Sequence, residues 1–173
     1  MPARILVAYA SKKGSTGGIA RAIGRELQSA GHVAIVAGMR SVPSLEGYDG
    51  VVLGAPVYTG SVMADLAGFV ARHKEALSRV PVAAFTAGIA PVYPKTGEIA
   101  TFTDQLVTAL QPQAPVAVTM FAGALDREKL SFIERGLTTV LNVPAGDFRN
   151  WDAIAAWSRE LPGKMGLGAG VKE

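Results

Sequence analysis

Short runs of consecutive apolar residues alternate along this chain with stretches whose apolar positions recur every three or four residues. Arg4–Ala10 is the first run, and its unbroken apolar stretch from Ile5 predicts a strand buried on both faces. Ser15–Ala30 follows as a helix, with Ile19, Ile23 and Leu27 at i, i+4 and i+8 on one face and Gly31 as its stop. The same reading gives strands over His32–Ala37, Gly50–Gly54, Val82–Gly88 and Pro115–Ala122. Helices are predicted over Ala64–Ser78, Ala100–Leu110, Glu128–Leu141 and Trp151–Leu161, with a connector over Ser41–Glu46 and an irregular stretch over Asn142–Arg149. In the second helix Leu66, Phe69, Val70, His73 and Leu77 face the core. Five apolar strands alternating with helices predict an α/β fold, a parallel sheet covered on both faces in three α/β/α layers.

That alternation also predicts where a ligand sits. In open parallel sheets ligands lie beyond the carboxyl ends of the strands, where strand order reverses. Three loops follow strand ends: 11–16, 55–61 and 87–98. The first, Ser11-Lys12-Lys13-Gly14-Ser15-Thr16, runs through hydroxyls and a glycine straight into a helix. Free backbone N–H groups and the positive end of the helix dipole meet there, which suits a phosphate monoester. Ser15 or Thr16 as a simple helix cap, with Gly14 as a simple turn, accounts for the same residues. Neither G-x-x-x-x-G-K-[ST] nor a G-x-G-x-x-G after this strand occurs, so the P-loop and dinucleotide fingerprints are excluded. The second loop carries Pro56, Val57, Tyr58, Thr59 and Gly60, and the third Thr86, Ala87, Gly88, Ile89 and, further on, Tyr93. Pro56 stiffens an entry, Gly60 can take positive φ, and a loop tyrosine can lie against a flat ligand or simply face water.

Composition narrows the chemistry. A length of 173 residues suits one domain, since domains run about 100–200 residues. With 49% hydrophobic and 18% charged residues a sizeable core forms. There is no cysteine, hence no disulfide, thiolate nucleophile, iron–sulfur cluster or cysteine-ligated zinc. His32 and His73 lie away from the three loops in this layout and stand at no metal-ligand spacing, and no G-x-S-x-G elbow exists. The net charge of +3 and pI of about 9.3 come from scattered Lys and Arg without interleaved aromatics, which gives nucleic-acid binding no support. Met1 leads straight into a strand, so no signal peptide is expected, and no uncharged stretch is long enough for a membrane span. A cytoplasmic setting fits these features. Core packing is expected of Trp151, and a half-exposed position of Trp157. The domain is expected to end near 161, with 162–173, holding four glycines in twelve residues, as a flexible tail.

These loops resemble those of the flavodoxin family, whose phosphate loop follows [ST]-x-[ST]-G-x-[ST]. Ser11-Lys12-Lys13-Gly14-Ser15-Thr16 matches except that Lys13 stands where a hydroxyl is usual. The resemblance runs from Arg4 to Leu161 and extends to the branch containing the menaquinone-dependent protoporphyrinogen dehydrogenases. Tyr48–Ala55, Phe69–Lys74, Phe121–Leu125 and Asn150-Trp151 carry that part of it. It implies a doubly wound five-stranded sheet in the order 2-1-3-4-5 with FMN at the switch point, a placement that belongs to the flavodoxin fold itself rather than to anything in the spacing here. It implies that Ser11, Lys12, Gly14, Ser15 and Thr16 hold the phosphate, with Lys13 in a charge-assisted contact or turned to water. Pro56–Gly60 would line one side of the isoalloxazine ring. Thr86–Ile89, and Tyr93, would line the other.

Two departures qualify what the resemblance implies. The interval Asp126–Arg149 is shorter than in those dehydrogenases and holds only Phe132 and Phe148 as aromatics, so it does not imply porphyrin or membrane-quinone docking. The two ring-side loops hold no Asp or Glu before Glu98, unlike acidic electron carriers, and less negative charge near the ring implies a less negative flavin potential. Three functions follow: an FMN-dependent oxidoreductase passing electrons to a small or quinone-like acceptor, a non-enzymatic carrier between redox proteins, or a phosphate-binding module without flavin. The expected donor is NAD(P)H, a quinol or a redox protein. No side chain need act as general acid or base in the first, because the cofactor performs the chemistry. Monomer and homodimer are both open.

Overall fold

The computed structural model describes residues 2–11, 14–58, 60–93, 97–125 and 146–168, with the backbone alone at Tyr58 and Leu125. In chain order the described elements are β1 (Arg4–Tyr9), α1 (Ser15–Ser29), β2 (Val33–Gly38), a 3₁₀ turn (Met39–Ser41), β3 (Gly50–Tyr58) and β4 (Ser61–Val62). Then come α2 (Asp65–Arg72), α3 (Lys74–Leu77), β5 (Val82–Gly88), α4 (Ile99–Leu110), β6 (Ala117–Ala122), β7 (Ala124–Leu125), β8 (Gly146–Asp147) and α5 (Trp151–Lys164).

Five parallel strands stand in the order β2-β1-β3-β5-β6. This is the expected 2-1-3-4-5 once the two-residue β4, antiparallel to the end of β3, is set aside. Side chains alternate across the sheet and fill two cores. Ile5, Val7, Val52 and Phe85 point to one face, where Ile19, Ile23 and Leu27 of α1 and Ile154 and Leu161 of α5 cover them. Leu6, Val51, Leu53 and Ala84 point to the other, under Leu66 and Phe69 of α2, Leu77 of α3, and Leu106 and Leu110 of α4. Two glycines set the spacing. A β-carbon at Gly24 would stand 2.5 Å from Cγ2 of Val36, so α1 lies close on β2. A β-carbon at Gly54 would overlap the buried ring of Phe85.

Several expectations change. The third strand runs on to Tyr58 and turns back as β4, so most of the expected loop 55–61 is a β-hairpin with Val57 opposite Val62 and Tyr58 opposite Ser61. The expected helix 64–78 is two helices, because His73 (φ −112°, ψ 20°) leaves helical geometry while its ring packs on Phe69 at 4.5 Å. Burial and neighbouring Arg72 lower the pKa of His73. His32 is buried, and its Nδ1 accepts from the Ala3 N–H at 2.9 Å.

Trp151, expected in the core, is exposed, while Trp157 is half-buried as expected, with its ring packed against the core. Trp157 lies edge-on against Phe121 at 5.6 Å and Phe85 at 6.3 Å, whereas Trp151 is exposed. Trp157 stands three residues after Ile154 and four before Leu161, so it shares their buried face. Trp151 opens the helix, and side chains lean toward the N-terminus, which carries its ring past the core.

The boundary expected after 161 also moves. Helix α5 continues through Pro162 to Lys164, and Met165 is buried with its sulfur 3.0 Å from where a β-carbon of Gly50 would be. The missing side chain at Gly50 leaves the space that Met165 fills, and Leu167 packs against the same core. Residues 162–167 therefore belong to the folded domain; those from 169 lie outside the described residues, as does the helix expected over Glu128–Leu141. Gly146–Asp147, expected to be irregular, pairs antiparallel with Ala124–Leu125 at the carboxyl end of β6.

Candidate functional site

The turns after β1, β3 and β5 leave the same edge of the sheet from three adjacent strands. Two contacts tie them there. The Ala10 N–H donates to the Gly54 carbonyl at 2.8 Å, and a β-carbon at Gly88 would stand 3.2 Å from Cβ of Val57. With β2 on one side of β1 and β3 on the other, this edge is the point where strand order reverses.

The turn after β1 has the features of an anion cradle. Gly14 takes φ +88° immediately before α1, and nothing lies within 4 Å of where its β-carbon would be. The exposed Ser11 accepts the Gly14 N–H on Oγ at 3.0 Å, which closes the turn. Among the described residues no side chain caps α1, whose N-cap is Gly14, so neither Ser15 nor Thr16 acts as the cap that was the simpler reading. Thr16 is buried in the first turn, and its Oγ1 has no hydrogen-bond partner among the described residues. Leaving such a hydroxyl unpaired costs about 1–3 kcal/mol. The first turn holds no acidic residue. A helix start, whose first N–H groups have no partner along the helix, a buried hydroxyl and the absence of a carboxylate together fit a phosphate. Lys12 and Lys13 lie outside the described residues.

The turns after β3 and β5 are built differently. Pro56 and Val57 are half-buried in β3, and the hairpin is pinned from outside. The Met63 N–H donates to the Pro56 carbonyl at 2.9 Å, and the Val62 N–H to Oε1 of Gln105 on α4 at 2.9 Å. Gly60 is exposed at φ +82° with open space where a β-carbon would point, while Thr59 lies outside the described residues. Thr86 is fully buried, and its hydroxyl donates to the Ala55 carbonyl at 2.7 Å; Ala87 is buried as well. The side chains of these two therefore sit within the sheet rather than on an open surface. Gly88 is wedged between Val57 and Cε of Met120, the latter 3.0 Å from its would-be β-carbon. Ile89 and Tyr93 are half-buried, and Ile89 turns the chain by accepting the N–H of Tyr93 at 2.8 Å.

A family model described as the flavodoxin domain matches residues 6–150, most of the chain. The chain belongs to the flavodoxin-domain family. Protoporphyrinogen IX dehydrogenase [quinone] of Escherichia coli is 23% identical over 171 residues, spanning 91% of this chain and 94% of that protein. Among solved structures, oxidised flavodoxin 1 of Bacillus cereus aligns with a TM-score of 0.56 and 18% identity, covering 91% of this chain and 95% of that one. A flavoprotein of Lactobacillus acidophilus in complex with FMN aligns with a TM-score of 0.54 and 12% identity over 68% of this chain and 93% of that one. These structural likenesses bear on the fold.

Arg149, which was not among the expected residues, lies on the first turns of α1, where a β-carbon at Gly18 would stand 2.5 Å from its Nη1. Arg149 grips Asp147 through Nε on Oδ1 (2.8 Å) and Nη2 on Oδ2 (2.6 Å), and its guanidinium lies 4.8 Å from the centre of the Trp151 ring. That hydrogen bond holds the Asp147 carboxyl below its ordinary pKa and raises Arg149 above its own. The signal for this approach in the sequence is Gly17-Gly18 inside a helical pattern, a pair that weakens a helix and marks a place where something comes close. Among the described residues no group of three or more His, Asp or Glu could hold a metal, and no helix is long and apolar enough to cross a membrane.

Proposed function

We propose that this chain binds FMN across its three carboxyl-edge turns and works as a flavin oxidoreductase toward a small or quinone-like acceptor. The observation that carries the reading is Thr16 Oγ1, buried and, among the described residues, unpartnered in a first helical turn that no described side chain caps. A phosphate at that turn gives the hydroxyl and the free N–H groups their acceptors. Bound there, FMN supplies hydride and electron transfer.

The protein's own task is to hold and tune. Ser11, Gly14, Ser15 and Thr16, with Lys12 and Lys13, form the phosphate end. Pro56, Val57, Tyr58, Thr59 and Gly60 line one side of the ring, and Thr86, Ala87, Gly88, Ile89 and Tyr93 the other. Thr86 contributes by fixing β3 to β5 through the Ala55 carbonyl, and the backbone of its neighbours forms the surface. The rigid hairpin keeps the ring oriented, and the apolar wall formed by Val57 and Ile89 keeps water from it.

The relatedness to a quinone-linked dehydrogenase over nearly the full length of both chains supports the enzymatic reading. Titration of purified protein with FMN should quench flavin fluorescence at micromolar protein. Turnover of NAD(P)H or a menaquinone by the chain alone supports the enzyme. Turnover only with a partner reductase or ferredoxin makes it a carrier, and unquenched flavin overturns the reading.

A further inference from the structure

The β7–β8 stem delivers a cation to the first turn of α1. Arg149 follows β8 by two residues, and its own N–H also donates to Oδ1 of Asp147 at 3.1 Å. With Nε and Nη2 both engaged by that carboxylate and the guanidinium against Trp151, the fork has one orientation. The arm left over is Nη1, and it is the atom that lies on α1: a β-carbon at Gly18 would stand 2.5 Å from it. Any larger residue at 18 would push the guanidinium off the helix. Because the Cα–Cβ direction in a helix tilts toward the N-terminus, that position overlies the turn from Gly14 to Gly18.

A cation at a helix N-terminus opposes the helix dipole. Asp147 offsets one charge, yet it does so from the far side of the fork, and the first turn itself has no carboxylate. The arrangement becomes favourable when an anion joins it. The unpartnered Thr16 Oγ1 in the same turn points independently to such a ligand.

We propose that Arg149, oriented by Asp147 and admitted by Gly18, lends its charge to the phosphate of the bound flavin nucleotide and makes the site selective for FMN over riboflavin. This rests on the FMN reading above and adds a residue to it. Arg149 is a specificity residue: it acts on the phosphate and leaves the ring alone.

The experiment titrates the full chain and its variants with FMN and with riboflavin, following flavin fluorescence. Arg149→Gln is expected to weaken FMN about tenfold while riboflavin stays within about twofold. Arg149→Lys, which keeps the charge and loses the fork, should recover part of the FMN affinity. An equal loss for both ligands, or no loss for FMN, overturns the proposal and leaves the FMN reading intact. Wild-type protein that quenches neither flavin overturns both. Should Arg149→Gln fail to fold, Gly18→Ala decides: its β-carbon would stand 2.5 Å from Nη1 and displace the guanidinium, so FMN should weaken while riboflavin does not, and unchanged FMN binding overturns the proposal.

Discussion

At the hairpin end of the candidate site the polar groups are engaged with one another. The Thr86 hydroxyl bonds the Ala55 carbonyl, the Met63 N–H the Pro56 carbonyl, and Gln105 the Val62 N–H. At the β1–α1 turn the Ser11–Gly14 bond closes the loop, while Thr16 Oγ1 stays buried with no partner among the described residues. One end is completed by the chain, and on the proposed function the other is completed by the phosphate of FMN. The difference separates rigidity from affinity. A flat ring is held by a surface already in place, whereas a charged group is held by donors kept unsatisfied until it comes.

The completed end should break at the largest scale. Gly54 has no room for a β-carbon because the Phe85 ring, fully buried in the core under α1 and α5, lies on it. Gly54→Ala must shift that ring or separate β3 from β5, at a cost of about 1–3 kcal/mol, the ordinary range for overpacking. Urea unfolding should show a lower midpoint, and flavin affinity should fall with it because the hairpin moves. An unchanged midpoint would mean that Phe85 has freedom the packing does not suggest.

The open end should respond in the opposite sense. Thr16→Val keeps the shape and removes the hydroxyl that lacks a partner. Without ligand the variant should be as stable as the parent or more so, by up to about 1 kcal/mol. Its affinity for FMN should fall about tenfold, since a hydrogen bond to a charged group is lost. A variant less stable without ligand and unaltered in binding would show that Thr16 serves the core.

How much of this was legible beforehand depended on whether the signal was local. Val82–Gly88 appears as a strand with the predicted ends, because a bounded run of seven small and apolar residues has few other uses in an α/β chain. The turn into α1 was legible because hydroxyls, glycine and helix start are adjacent in sequence, and the helix does begin at Ser15 after Gly14. The hairpin was not, since Val57 opposite Val62 is one apolar pair, too short to show alternation. Helix α5 passing Pro162 was hidden for another reason. Proline argues for an end, and what argues against it is Met165 finding the space at Gly50, more than a hundred residues away. Trp151 was expected to begin the core face and Trp157 to be displaced from it, and only the position of the helix relative to the sheet shows that Trp151 is exposed while Trp157 packs on Phe121. Arg149 meets Gly18 across most of the chain.

The smallest effect concerns the latch that joins the two ends of the chain at the cradle. The hydrogen bond from Arg149 depresses the Asp147 pKa, so the folded state binds the proton on this carboxyl less readily than the unfolded state does. The stabilisation is therefore full above the ordinary aspartate pKa of 3.8 and is lost as pH falls through the lower folded value. Asp147 has half its side chain in solvent, and screening limits the contribution to below about 1 kcal/mol. Urea midpoints of wild type and Asp147→Asn should differ slightly at pH 7 and converge in strong acid. A gap that persists where both forms are uncharged would assign the latch to packing on Trp151, with charge playing no part, and the orientation of Arg149 over α1 would then survive protonation of Asp147.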